Sequence, residues 1–192
     1  ALTSGNITTL YNEGVPGDIT SLSPLVWYRM GDGTEAGSGT DIYDMSGNSS
    51  ANAKLINGPT FSTNVPPTFS KLSVNFDGTD DYMKCDDNFV SLFRSSFSVS
   101  FWVKFNSTPT STEIVLSSSN ATSADRIQFF HTGSALLTFY EANNVSTVAR
   151  NAGSQTWTNW NHIVATYEQS GSSCADVLYV NGSSVASGSK TL

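Results

Sequence analysis

The chain has 192 residues, of which only 13% are charged, and its formal net charge is −7 at pH 7. This low charged share, with Ser, Thr, Asn and Gly in place of charged residues, is typical of a secreted β protein and not of a cytosolic enzyme. Lys and Arg form no cluster, which argues against nucleic-acid binding, and the longest apolar run is far too short to span a bilayer, so no membrane insertion is expected.

The first predicted element is a helix over Ser4–Glu13. Ser4 is a favourable N-cap residue, and Gly14 follows where a glycine commonly ends a helix. Three apolar residues fall on one face at helical spacing: Ile7, Leu10 and Tyr11. We expect that face to pack against another part of the protein.

From residue 24 onwards, short segments of alternating polarity predict strands separated by turns. The predicted strands cover residues 24–30, 53–56, 72–76, 81–85, 96–105, 113–117, 126–131, 135–141, 146–150, 161–168, 177–180 and 183–187. In the strongest of them every second residue is apolar: Phe97, Val99, Phe101, Val103 and Phe105. Asn181-Gly182 is the strongest short hairpin signal. Many short strands at this spacing predict an all-β fold, namely an antiparallel two-sheet jelly-roll sandwich with one short N-terminal helix.

Several motifs carry a resemblance to a known family: Trp27-Tyr28, residues 76–82 (Phe-Asp-Gly-Thr-Asp-Asp-Tyr), residues 97–102 (Phe-Ser-Val-Ser-Phe-Trp), residues 160–167 and residues 178–182. With them the chain resembles the laminin-G-like and pentraxin-like group of concanavalin A-like lectin domains. The resemblance covers about residues 23–192 and implies an antiparallel jelly roll. Most modules of this group bind or assemble, and only some relatives catalyse a reaction.

The resemblance also implies a domain organisation. Domains of this group continue with further strands, one of which carries a Gly-x-Ile/Leu-Asp-Glu pattern, and nothing in this chain matches that pattern. We therefore expect residues 23–192 to form a jelly roll that lacks its C-terminal strands. Residues 1–22 look like the helix and linker that end a preceding or neighbouring domain; the alternative is a helix that packs on its own domain. Tandem domains, cleavage, and exchange of elements between subunits all remain open as explanations.

Catalysis is not expected of this chain. Glycosidases need two carboxylates that flank the scissile bond, and the glucanase relatives carry theirs as a tight cluster on one strand. None of the glutamates has another carboxylate two to four positions away on a predicted strand: Glu13, Glu35, Glu113, Glu141 and Glu168. His162 is predicted to be a structural sheet histidine.

Calcium is the cofactor that the loop acids favour, because Ca²⁺ binds six to eight oxygen atoms from carboxylates, carbonyls and amides. Asp32, Asp41 and Asp44 lie in one Gly- and Ser-rich loop and form a candidate metal site. The pentraxin resemblance implies a further candidate ligand, Asp125. The alternative is that these acids cap turns. Three other acids are predicted to stabilise the bend about Gly78: Asp77, Asp80 and Asp81.

Sugar binding needs an exposed aromatic ring and an amide or carboxylate partner. Trp157 is the candidate ring and Asn159 the candidate amide. Trp160 aligns with a core tryptophan of the family, and Trp102 is expected to pack on the second face of its strand, opposite Phe101.

The two cysteines, Cys85 and Cys174, are predicted to form a single disulfide, because the composition is that of a secreted protein. The alternative is that they are two unrelated buried thiols.

These features favour a non-enzymatic structural or adhesion module of a virion or an extracellular filament. Residues 23–33 and 44–48 are similar to modules of phage structural proteins and bacterial surface proteins. Such a module would assemble with copies of itself or with other structural subunits through sheet edges and apolar surface. One alternative is a lectin module, with or without calcium, that binds surface glycans, and another is the accessory domain of a secreted hydrolase. The expected location is extracellular or on a virion surface.

Overall fold

The computed structural model describes residues 1–31, 37–47, 51–67, 71–85, 95–119, 126–132, 135–142, 145–146 and 150–191. Backbone contacts divide the chain into two compact units, which we call the sandwich unit (residues 1–13 and 88–192) and the small-sheet unit (residues 14–87). The expected division near residue 22, with a preceding domain before it, stays a prediction.

The elements follow one another along the chain as mostly short strands after a single α-helix. In chain order they are α1 Ser4–Tyr11, β1 Gly37–Ser38, β2 Asp41–Ile42, β3 Ala53–Ile56, β4 Thr60–Ser62, β5 Ser73–Asn75, β6 Tyr82–Cys85, β7 Phe97–Val103, β8 Glu113–Ser119, β9 Arg126–Thr132, β10 Ala135–Ala142, β11 Val145–Ser146, β12 Arg150–Ser154, β13 Asn161–Ser170, β14 Ser173–Val180 and β15 Ser183–Thr191, with 3-10 turns at Asn12–Gly14 and Thr20–Leu22.

Every strand pairing in the described part of the chain is antiparallel. In the sandwich unit one sheet has the order β15-β14-β13-β7, and the other has the order β11-β10-β9-β8 with β12 also pairing with β10. The small-sheet unit has a four-stranded sheet, β1-β2-β3-β6, and a two-stranded sheet, β4-β5. The predicted all-β fold, with several antiparallel sheets and one short helix, is confirmed.

The core of the sandwich unit lies between its two sheets. The predicted apolar face of β7 is confirmed, because its alternate residues pack on the buried cluster that includes Phe129, Ile163 and Leu178. The rings of Phe101 and Phe129 meet edge to face with centroids 5.0 Å apart. Aromatic pairs in this geometry add stabilisation beyond the area that they bury.

A separate, smaller core holds the small-sheet unit together. Ile42, Ala53 and Leu55 are buried in it, and Tyr28 and Phe61 are among the half-buried residues packed against them. The alternation of β3 between buried and outward residues explains why the sequence predicted this strand with its correct bounds.

Helix α1 is shorter than predicted at its C-terminal end and begins with a different cap. Thr3, and not Ser4, is the N-cap, and its side chain forms a capping box with Asn6. The helix ends at Tyr11 because Asn12 takes a left-handed conformation, with φ 42° and ψ 52°. The predicted apolar face is confirmed at Ile7 and Leu10, which are buried.

One predicted strand is wrong. Residues 24–30 do not form a strand, since their only described pairing is a single bridge between Tyr28 and Asp44. Of the strand predicted over residues 146–150, Ser146 lies in β11 and Arg150 in β12, and residues 147–149 lie outside the described residues. The hairpin at Asn181-Gly182 is confirmed, because both residues have the positive φ, 49° and 79°, that this tight turn requires.

Among the described residues, no helix combines the length and the apolar character needed to cross a membrane.

Candidate functional site

A cleft in the small-sheet unit combines an aromatic ring with several hydroxyl groups. Its volume is about 260 Å³, and it is lined by Thr20, Ser23, Pro24, Trp27, Met45 and Ser46. An apolar wall with a few fixed polar groups is the general composition of sites that bind small molecules. The sequence did not reveal this site, because its residues come from two segments about twenty positions apart and lie outside regular strands.

The carboxylate of Asp44 holds the two walls of this cleft together. Asp44 Oδ1 accepts hydrogen bonds from the backbone nitrogens of Trp27 at 2.8 Å and Ser46 at 2.9 Å. The Ser46 hydroxyl donates to Asp44 Oδ2 at 2.6 Å, and Met45 N donates to Trp27 O at 2.8 Å. These bonds fix the backbone that carries the ring of Trp27 and the hydroxyl of Ser46.

Two neighbouring charged residues position the other parts of the cleft. The guanidinium of Arg29 lies 5.8 Å from the centroid of the Trp27 ring, within the range of a cation–π contact. Asp18 Oδ1 accepts hydrogen bonds from Thr20 N at 2.8 Å and from Thr20 Oγ1 at 2.5 Å. The hydrogen bonds from Thr20 lower the pKa of Asp18, so that the cleft is bordered by an ionised carboxylate near neutral pH.

The predicted sugar-binding pair does not form an exposed site. Trp157 is only 2% exposed, because its ring packs edge to face against Phe105 and His131, with centroids 6.2 and 5.3 Å away. The expectation that Trp157 is exposed is therefore wrong. Asn159 is exposed, but its backbone carbonyl accepts a hydrogen bond from Asn161 Nδ2 at 3.0 Å and its backbone nitrogen bonds to Thr156 O, which makes it a turn residue.

The predicted calcium ligands are only partly within the described residues. Asp32 and Asp125 lie outside them. Asp41 forms an ion pair with Lys54 at 2.7 Å, and Asp44 is used by the hydrogen bonds of the cleft. The two described carboxylates thus have protein partners, and calcium binding at this loop stays a prediction.

The acids about Gly78 have the local role that the sequence predicted. Asp81 Oδ2 accepts a hydrogen bond from Asp77 N at 2.9 Å, and Asp77 Oδ1 accepts one from Thr79 N at 2.7 Å. The carboxylate oxygens of Asp77, Asp80 and Asp81 lie within 4.8 Å of one another. Asp77 and Asp81 therefore stabilise the bend, as Asp commonly does in turns.

The predicted disulfide is not formed, since both cysteines are free thiols. Cys174 is buried in the core of the sandwich unit, where burial and the nearby charge of Asp176 raise the pKa of its thiol. Cys85 belongs to the small-sheet unit, where its Sγ lies 3.0 Å from Tyr28 Oη and 3.3 Å from Ala51 O. Each thiol thus packs within its own unit, as the alternative interpretation of two unrelated thiols expects.

The two histidines lie in strands of the sandwich unit. His162 Nε2 is 2.8 Å from Ser100 Oγ, and its ring stacks on Trp102 with centroids 4.9 Å apart. Burial lowers the pKa of His162 to about 4. Burial also lowers the pKa of His131, and the charge of Glu113 opposes that shift.

Comparison with known proteins identifies a family for more than half of the chain. A laminin G family model, described as the concanavalin A-like lectin/glucanases superfamily, matches residues 77–192. Searches of curated proteins and of solved structures give no match. The matched region includes most of the motifs that carried the resemblance in the sequence.

Proposed function

Because the chain belongs to the concanavalin A-like lectin/glucanases superfamily, we propose that it is a non-enzymatic structural or adhesion module that assembles with copies of itself. The observation that supports this proposal is the edge of the sheet at β15. In the described part of the chain, β15 pairs only with β14. A long strand with an open edge offers backbone donors and acceptors to another chain.

The composition of β15 does little to prevent such pairing. The strand has nine residues, and Lys190 is the only charged one among them. Natural edge strands are commonly protected by several charges, by proline or by bulges. The one register shift against β14 lies near the start of β15, and Ala186–Thr191 pairs with β14 in regular register. A second copy can add its own β15 there by antiparallel strand addition.

The low charge of the chain supports a location outside the cell or on a particle. Only 13% of the residues are charged, about half of the usual share, with Ser, Thr and Gly in their place. The proposal therefore places this module in a filament or on a virion, with copies of itself or other structural subunits as partners.

Charged residues on the edge strand are expected to weaken self-association. The variant Ser187→Lys/Ser189→Lys places two new charges on exposed positions of β15, and we expect its dissociation constant to rise about tenfold or more because like charges meet across the paired edges. Sedimentation velocity over a range of concentrations measures this effect. Thr110→Lys/Thr112→Lys adds the same charge on an exposed loop and serves as the control. A wild-type chain that stays monomeric at high concentration contradicts the proposal.

A second proposal, carbohydrate binding, is supported by the cleft around Trp27. A sugar ring would stack on the indole, and the hydroxyls of Thr20, Ser23 and Ser46 would bind its hydroxyl groups. Calcium dependence of this binding stays a prediction.

Loss of the Trp27 ring is expected to abolish glycan binding. On a glycan array, Trp27→Ala should lose at least about tenfold in affinity, because stacking and burial of an aromatic ring dominate such sites. Tyr82→Ala removes another aromatic ring of the same unit, one that is 48% exposed, and is the matched control. Equal binding by the two variants would contradict the assignment of the cleft, and binding that is unchanged by chelator would exclude calcium.

A further inference from the structure

Helix α1 packs on the outer face of β7 and β13 and against the turn between β14 and β15. Leu2 N donates a hydrogen bond to Ser98 Oγ at 2.9 Å, and the ring of Tyr11 stacks near Trp102 and His162 with both centroid distances 6.1 Å. These sheet residues alternate with those that face the core, so they lie on the opposite side of the sheet. We call this surface, formed by Ser98, Ser100, Trp102, His162 and Gly182, the α1 seat.

The α1 seat fits α1 closely. A Cβ atom added at Gly182 would lie 2.7 Å from Tyr11 Cδ1 and 3.4 Å from Tyr11 Cβ, so the hairpin turn comes directly against the helix. Ile7 and Leu10 of the helix are buried, and so is His162 in the seat, which is only 1% exposed. The α1 seat therefore needs a segment packed on it, and the segment that fits it is α1.

The connection that follows α1 is strained. Asn12, Glu13 and Gly14 all have positive φ, at 42°, 56° and 92°. Only glycine adopts this conformation without a steric cost, and for Glu the cost is not offset by the local side-chain hydrogen bonds that help Asn. The strain lies at the boundary between the two units, because residues 1–13 belong to the sandwich unit and residue 14 begins the small-sheet unit.

We infer that α1 of one copy docks on the α1 seat of a second copy, with residues 12–14 opening as the hinge. The exchanged form keeps the contacts between α1 and its seat and lets Glu13 leave its strained left-handed conformation, which is the condition that favours exchange of an element between protomers. This inference rests on the proposed self-assembly, but it uses a different surface from the edge of β15.

The test uses two variants mixed in solution, each with one introduced cysteine in a Cys85→Ser/Cys174→Ala background that removes the two free thiols. Tyr11 Cβ lies 3.4 Å from the Cβ position of residue 182, close to the spacing of a disulfide. Tyr11→Cys in one chain and Gly182→Cys in a second chain of different tagged length can bond only if α1 of one copy reaches the seat of another. We expect a covalent heterodimer after mild oxidation, and none when either variant is mixed with the cysteine-free background chain, which serves as the control.

Substitutions at the hinge should move the yield of heterodimer in opposite directions. Glu13→Pro forbids the positive φ at residue 13 and restricts the backbone of Asn12, so the yield of heterodimer should increase. Glu13→Gly removes the strain at residue 13, so the yield of heterodimer should fall by about tenfold. The inference is overturned if no heterodimer forms with the native hinge at high concentration, or if Glu13→Gly leaves its yield unchanged.

The same samples separate this inference from the proposed edge pairing. In one outcome, Ser187→Lys/Ser189→Lys changes neither the yield of heterodimer nor the sedimentation of the chain. That outcome supports α1 exchange and overturns pairing through β15. Association that these substitutions abolish, with no heterodimer, supports pairing through β15 and overturns α1 exchange.

Discussion

Replacing Arg150 by Met is expected to lower the free energy of unfolding by about 3–5 kcal/mol, because it leaves the carboxylate of Asp176 buried without a counter-charge. Arg150 Nη2 donates to Asp176 Oδ1 at 2.8 Å, and Arg150 Nε donates to Asp176 Oδ2. The two side chains are 15% and 6% exposed, so water screens this pair poorly.

The position of the pair makes its loss more costly. Arg150 lies on β12 and Asp176 on β14, so their hydrogen bonds join the two sheets of the sandwich unit. A Cβ atom added at Gly188 would lie 2.1 Å from Arg150 Nη2, which shows that the guanidinium lies directly against the backbone of β15. The side chain therefore has little room to find another partner.

A second variant distinguishes the buried charge from the loss of packing. Arg150→Met/Asp176→Leu removes both charges and keeps similar volumes, and we expect it to recover most of the stability lost by Arg150→Met. Urea denaturation of the four proteins in the cycle measures this coupling. Lys54→Met breaks the exposed ion pair with Asp41 and should cost less than about 1 kcal/mol. A single variant as stable as the wild type, or a double variant no better than the single, would contradict the expected role.

The ion pair between Arg150 and Asp176 is an example of a contact that could not be predicted from local sequence patterns. The alternation of residues 97–105 and the Asn181-Gly182 turn are local patterns, and both were predicted correctly. Arg150 and Asp176 are 26 residues apart, and their pairing depends on how two sheets pack, which no local pattern encodes. The same is true of Asp44, which binds Trp27 N across 17 residues and so forms the cleft.

Burial of isolated aromatic residues was the least predictable property of the candidate sites. Trp157 lies in the connection between β12 and β13, outside any alternating segment, and its burial follows from its contacts with Phe105 and His131. Trp102 was predicted correctly to face away from the core of the sandwich, because its strand has a clear period of two. The sequence predicts the direction of a side chain within a regular strand, but not within a connection.

Acid is expected to destabilise the sandwich unit through His162. Burial lowers the pKa of this histidine from 6.5 to about 4, so the folded protein keeps it neutral while the unfolded chain takes up a proton near pH 6.5. The stability contributed by neutral His162 is therefore present above pH 6.5 and is lost as the pH falls from 6.5 to 4. Since one pKa unit corresponds to 1.36 kcal/mol, the loss is at most about 3 kcal/mol.

The groups around His162 explain why burial determines its pKa. His162 contacts the hydroxyl of Ser100 on β7, the rings of Trp102 and Tyr11, and the side-chain oxygen of Asn181 through its backbone nitrogen. None of these groups carries a charge near neutral pH, so none compensates a protonated imidazole. Protonation would place a charge between the sheet and α1, in the α1 seat.

The change that isolates this effect is His162→Gln, whose amide can still bond to Ser100. We expect the difference in unfolding free energy between the wild type and this variant to fall by about 3 kcal/mol between pH 7 and pH 4, because all other titrating groups, including His131 and Asp18, are shared and cancel. Urea denaturation followed by tryptophan fluorescence at several pH values measures it, and NMR titration of the His162 ring gives its pKa directly. A difference that does not change with pH, or a ring that titrates near 6.5, would show that the imidazole is accessible to water and that α1 does not seal the seat in solution.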